Sequence, residues 1–229
     1  MLLKAIVFDG YGTLFFTGTG SVDATEKILA LNGHRDLSPK AFYGEWKLLH
    51  HRHMEELPDF RLEKELYALD LEELYQKYRF TRDPRRDVEV MLAIQGTRAA
   101  FPEVRQVLEE LASRFLLAVG STTDTAPLLQ DLDRAGLPIP RSRIFTSQSL
   151  KVYKPHPAFY RAILETLEVA PEEALFVGDS LKDDVKGPQN VGMRTCWVNR
   201  KGEERGDISP DLEIPSLQEL PEALGHFPK

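Results

Sequence analysis

Asp9 closes a short apolar run and is followed at once by a break: Ala5-Ile6-Val7-Phe8-Asp9-Gly10-Tyr11-Gly12-Thr13-Leu14. A carboxylate at the end of a buried strand can attack a substrate held in the crevice beyond the sheet. Read locally, the same residue serves equally well as an Asx-turn. Other polar groups stand in comparable places. Ser121 follows the apolar stretch 115–119, Asp179 follows 174–177, and Lys154 lies in Val152-Tyr153-Lys154-Pro155-His156-Pro157, where two prolines discourage helix. If these groups meet, Ser121 and Lys154 can hold the oxygens of an anion while Asp9 attacks it. Asp9 and Asp179, with Asp184 or alternatively Asp183 beside them, make an oxygen-rich set suited to Mg2+.

For these groups to meet, the strands must run parallel and end at one edge. The pattern supports this, with strands at 115–119, 144–146, 174–177 and 195–198 alternating with helices at 126–135, 157–167 and 185–191. Pro102 opens a helix through Ala112, and a strand at 212–214 precedes a last helix from Ser216. Residues 23–95 show no strand and read as successive helices. One begins after the N-cap Ser38 and ends at Leu57-Pro58-Asp59; others cover 62–78 and 87–94. The fold class is therefore α/β, a Rossmann-like parallel sheet core with an inserted helical cap domain. The core takes residues 1–16 and 97–229 and the cap takes 17–96. Thr17-Gly18-Thr19-Gly20 lacks the Gly-Lys-Ser/Thr ending of a phosphate loop and reads as a hinge.

The chain has 229 residues and a net charge of -7, from 36 acidic against 29 basic side chains, which argues against nucleic-acid binding. The expected partner is a small anionic substrate, with no nucleic acid and no membrane; oligomeric state leaves no signature. Cys196 is the single cysteine, so no internal disulfide forms, and a cytoplasmic location is expected. Cys196 itself reads as a buried apolar residue. His50, His51 and His53 read as solvated or interface residues, and Arg141, Arg143, Arg200 and Lys201 as surface charge.

Taken together, the chain resembles the haloacid dehalogenase-like hydrolases. The resemblance rests on Asp9 to Leu14, on Ser121, on Lys154 before Pro155, and on Gly178-Asp179-Ser180 with Asp183 and Asp184 nearby. It implies an Asp9 nucleophile, catalytic roles for Tyr11, Thr13, Ser121 and Lys154, and substrate contacts from Ser121, Thr122, Lys154, Tyr160 and Lys47. It also implies Mg2+ held by Asp9, Asp179, the Tyr11 backbone carbonyl and Asp184, or Asp183 in its place.

Two branches compete. The phosphatases carry an Asp where this chain has Tyr11, and a phenol with an ordinary pKa near 10 is a poor proton donor beside a carboxylic acid. Tyr11, Tyr160 and Thr195-Cys196-Trp197-Val198-Asn199-Arg200 resemble the 2-haloacid dehalogenases. Asp179 resembles the metal-binding form instead, since those dehalogenases carry Ser-Asn there. Converging carboxylates with Lys154 as their counter-charge favour a divalent cation. The expectation is a magnesium-dependent phosphatase of small phosphorylated metabolites. The alternatives are a metal-independent (S)-2-haloacid dehalogenase and a binding or regulatory protein on the same scaffold.

Overall fold

The apolar strand that ends at Asp9 is Ala5–Phe8 (β1), buried at every position, as suits a strand covered on both faces. The structure is a computed structural model and describes residues 2–56 and 59–226. Two compact units are present: Met1–Phe16 with Ala99–Lys229, and Thr17–Arg98. Among the described residues, β1 joins Leu116–Ser121 (β2), Ile144–Thr146 (β3), Ala174–Gly178 (β4), Arg194–Val198 (β5) and Leu212–Ile214 (β6) in one parallel sheet of order β3-β2-β1-β4-β5-β6.

Thr17–Arg98 contains α1 (Gly20–Leu31), α2 (Pro39–Glu56), α3 (Glu63–Tyr78) and α4 (Pro84–Leu92). The sheet unit carries α5 (Val104–Ala112), α6 (Thr125–Ala135), α7 (Ser147–Leu150), α8 (Pro157–Leu167), α9 (Gly187–Gln189) and α10 (Leu220–Gly225). Side chains alternate across β1. Ile6 and Phe8 join a core with α5, α6 and α10, whereas Ala5 and Val7 join a second core with Phe159, Tyr160 and Ile163 of α8. No helix among the described residues is long and apolar enough to cross a membrane.

Two local expectations change. The helix expected over 185–191 is a wide π-type turn, Leu181–Lys186, followed by the short α9, because Gly187-Pro188 interrupts a regular ladder. The hinge expected at Thr17–Gly20 ends where α1 already begins, at Gly20. Helix α2 reaches Glu56, while Leu57 and Pro58 of its expected stop lie outside the described residues.

The helical unit is organised around two buried carboxylates. Asp70 is fully buried and meets Trp46 Nε1 at 3.1 Å, His50 Nδ1 at 2.7 Å and His53 Nδ1 at 2.6 Å. His50 and His53 are thus held inside the unit rather than solvated, whereas His51 is exposed. Asp87 accepts from Tyr75 at 2.7 Å, Asn32 at 3.0 Å and Arg82 at 2.8 Å. Burial pulls the Asp87 carboxyl up, but the bonds from Arg82 and Tyr75 outweigh it and the net direction is down. An aspartate surrounded by donors in this way is a structural device. Replacing Asp70→Ala leaves three donors unpartnered and is expected to cost about 3–5 kcal/mol in urea unfolding. A loss below about 1 kcal/mol would show that water replaces the carboxylate without penalty.

Candidate active site

Register decides which side chains meet. Phe8 pairs with Val119 on β2 and with Val177 on β4, so Asp9, Ser121 and Asp179 leave the sheet at the same edge. The Asp9 amide donates to the Val177 carbonyl at 2.8 Å. The chain then coils tightly, and the Gly10 carbonyl accepts the amides of Leu14 and Phe15, each at 2.9 Å. Gly12 has φ 99°, and the Asp179 carboxylate occupies the space that a Cβ there would need. Asp184 likewise folds back over Gly178. Both glycines therefore allow carboxylates to crowd the end of β1.

Asp9, Asp179 and Asp184 each offer an oxygen within 4.8 Å of the others. Lys154 Nζ donates to Asp9 Oδ1 and Asp184 Oδ1, both at 2.7 Å, and is itself buried. Asp184 Oδ2 accepts the Ser180 amide at 2.9 Å. One ammonium cannot balance three carboxylates. Burial pushes the Asp9 carboxyl up to about 8; Lys154 opposes this, while Asp184 and Asp179 add to it. Asp179 is pushed up to about 6, first by burial and then by Asp184, against Lys154 and Lys201. Burial alone would lower the Lys154 ammonium, but the anions of Asp184 and Asp9 outweigh it and hold it well above the ordinary range.

This donor set fits a hard divalent cation. It is all oxygen, it carries three carboxylates, and burial together with Asp184 and Asp179 raises the Asp9 carboxyl despite Lys154. Asp183 stands outside the group: it is half-buried, and its amide donates to Ser180 Oγ at 3.1 Å. Of the two acids left open by the sequence, the π-type turn therefore directs Asp184 to the cluster.

The other expected site residues divide. Ser121 is buried, with Oγ packed against Gly10. Thr13 and Thr122 each bury a hydroxyl oxygen that has no partner among the described residues. Tyr11 departs from expectation, because its hydroxyl donates to Asp131 on α6 at 3.0 Å. Tyr160 departs too. It is fully buried between Phe159 and Phe176, and its hydroxyl donates to the Asp183 carbonyl. Lys47 is exposed on α2, in the helical unit.

Arg200 is not surface charge. Its side chain is 18% exposed, its guanidinium lies 3.6 Å from the Phe101 ring centroid, and it donates to the Thr13 carbonyl at 3.1 Å. Trp197 Nε1 donates to the Asp179 carbonyl at 3.0 Å. Neither contact has a signal in sequence spacing. Cys196 is buried, and burial raises its thiol pKa.

Comparison with known proteins gives the same frame. A family model described as haloacid dehalogenase-like hydrolase matches residues 3–192. Phosphoserine phosphatase of Thermus thermophilus is 40% identical over 129 residues, covering 54% of this chain and 51% of its own length. The match thus spans about half the length of that relative, and the haloacetate dehalogenase H-2 of Moraxella is matched over 54% of its length. An (S)-2-haloacid dehalogenase of Xanthobacter autotrophicus is 28% identical over 239 residues, covering 99% of this chain and 90% of that one. The solved structure of magnesium-bound YfnB from Bacillus subtilis superposes with TM-score 0.81 at 20% identity, covering 98% and 100% of the two chains. With the sheet order and the family match over most of its length, this chain belongs to the haloacid dehalogenase-like hydrolases.

Proposed function

We propose that the chain is a magnesium-dependent phosphatase of small phosphorylated metabolites with Asp9 as nucleophile. The observation that carries this reading is the set of three carboxylates, Asp9, Asp179 and Asp184, within 4.8 Å of one another and served by a single ammonium. The 40% identity to a phosphoserine phosphatase and the magnesium in the YfnB structure support it.

Mg2+ would be held by Asp9, Asp179, Asp184 and the Tyr11 backbone carbonyl, and would offset negative charge on the transferring phosphoryl group. Lys154 fixes Asp9 Oδ1, which leaves Oδ2 to form the bond to phosphorus as the ester P–O bond breaks and the leaving oxygen takes the electron pair. Ser121, with the unpartnered hydroxyls of Thr13 and Thr122, supplies neutral donors to the phosphoryl oxygens. Water then attacks phosphorus in the aspartyl phosphate and returns Asp9.

A second reading has its own observation. The Tyr11 proton is directed at Asp131, so the phenol is not offered to a leaving group. Halide departs without a proton, as in the (S)-2-haloacid dehalogenase that matches nearly the whole chain. Within the phosphatase reading, the same contact predicts a preference for leaving groups that depart as stable anions.

Five measurements test these readings. Asp9→Asn is expected to lower kcat on the order of 10⁴-fold or more, and chelator should abolish phosphate release that Mg2+ restores. Chloride release from (S)-2-chloropropionate that is insensitive to chelator, with no phosphate release, would establish the dehalogenase instead. Acetyl phosphate and p-nitrophenyl phosphate are expected to exceed glycerol phosphate in kcat/KM by about 10²–10⁴-fold, the usual contribution of a general acid. Rates within tenfold of each other would mean that a proton donor operates. Finally, Asp9, raised to about 8, and Asp179, raised to about 6, bind protons in the folded state that the unfolded chain has released. From about pH 4 to about pH 8 the metal-free protein should therefore lose stability as pH rises. Calorimetry in chelator should show Tm falling from about pH 5 to about pH 8, with Mg2+ raising Tm more at the higher pH. Equal Mg2+ shifts at both pH values would contradict this assignment.

A further inference from the structure

Asp9 and Asp179 sit on separate loops, after β1 and after β4, and each loop is tied by one hydrogen bond to the end of β5. Trp197, on β5, is 1% exposed, and its indole Nε1 donates to the Asp179 carbonyl at 3.0 Å. Three residues on, Arg200 Nη2 donates to the Thr13 carbonyl at 3.1 Å. Thr13 follows Gly12, the residue against which the Asp179 carboxylate packs. One short segment therefore grips the backbone of both loops on either side of that contact.

The guanidinium itself is oriented from three directions. It lies over Phe101 at 3.6 Å from the ring centroid, Nη2 forms an ion pair with Glu103 Oε1 at 2.8 Å, and it donates a hydrogen bond to the Thr13 carbonyl. Its Nε is buried with no partner among the described residues. A largely buried cation with one donor unmet is a poor device for stability alone. Its geometry is well suited to holding a carbonyl in place. Planarity and stacking let Arg do this where Lys cannot stack and donate at once.

We propose that Arg200, assisted by Trp197, is a positioning residue that fixes the loop 10–15 and with it the spacing of Asp9 and Asp179. The inference rests on Asp9 as the nucleophile, and it holds whichever bond Asp9 breaks, because the loop is common to both reactions.

The test uses the full chain. Arg200→Met keeps the stem and removes the guanidinium, and Arg200→Lys keeps the charge. With whichever substrate the wild type turns over, Arg200→Met is expected to lower kcat about ten- to hundredfold with KM within about threefold, the pattern of a misplaced reacting group. Arg200→Lys should fall between, and about 50 mM guanidinium should restore part of kcat to Arg200→Ala by refilling the space. Hydrogen exchange gives a readout independent of activity: the Leu14 and Phe15 amides should exchange at least about tenfold faster in Arg200→Met, with the β1 amides unchanged. Wild-type kcat in Arg200→Met, or a lowered Tm with unchanged exchange at Leu14 and Phe15, would overturn the proposal. A wild type that turns over neither phosphate ester nor haloacid would count against the proposed function, and the exchange result would then decide the clamp on its own.

Discussion

The Lys154 ammonium, buried between Asp9 and Asp184 at 2.7 Å from each, is the contact on which the sheet edge depends. Neither side of the interaction survives alone in that environment. An isolated ammonium out of water is costly, and so are carboxylates. At an effective dielectric near 20, one charge pair at about 4 Å is worth about 4 kcal/mol, so a single cation cannot offset three anions that also repel one another. Burial, with the neighbouring carboxylates adding to it, raises Asp9 and Asp179.

The helical unit shows the opposite solution to the same problem. Asp70 is as buried as any residue at the sheet edge, yet Trp46, His50 and His53 surround it. Asp87 is served by Tyr75, Asn32 and Arg82. Where donors outnumber carboxylates, a buried aspartate fastens helices together. Where carboxylates outnumber the ammonium, as around Lys154, the carboxyls of Asp9 and Asp179 are raised instead. The ratio of donors to acceptors, more than burial, separates the two kinds of aspartate in this chain.

The parallel sheet was legible in the sequence because fully apolar strands bounded by glycine and polar residues leave a strong local mark. Asp9, Ser121 and Asp179 are legible for the same reason, since a polar residue directly after such a run is placed by the strand itself. Asp184 and Asp183 could not be separated. Which of two neighbouring acids faces inward depends on the π-type turn, and an ordinary helical pitch would not predict it. Tyr11 and Asp131 are 120 residues apart, and no spacing rule links them. Arg200 beside Lys201 looks like solvated charge until Phe101, Glu103 and Thr13 are brought to it by the fold. His50 and His53 mislead in the same way, because Asp70 comes from another helix.

The path of the chain at Phe16 and Ala99 has a consequence for descent. The Phe16 amide donates to the Ala99 carbonyl at 2.9 Å, Phe101 donates to Leu14 at 3.0 Å, and Phe15 bridges Ala100 in antiparallel fashion. The departing and returning segments are thus already neighbours within the sheet unit. A few residues could close that gap without disturbing a strand, so the segment between them is exchangeable as a module. Those helices can be lengthened, replaced or rebuilt while Asp9 and its neighbours stay where the sheet puts them, so the inserted segment can change without moving the sheet edge.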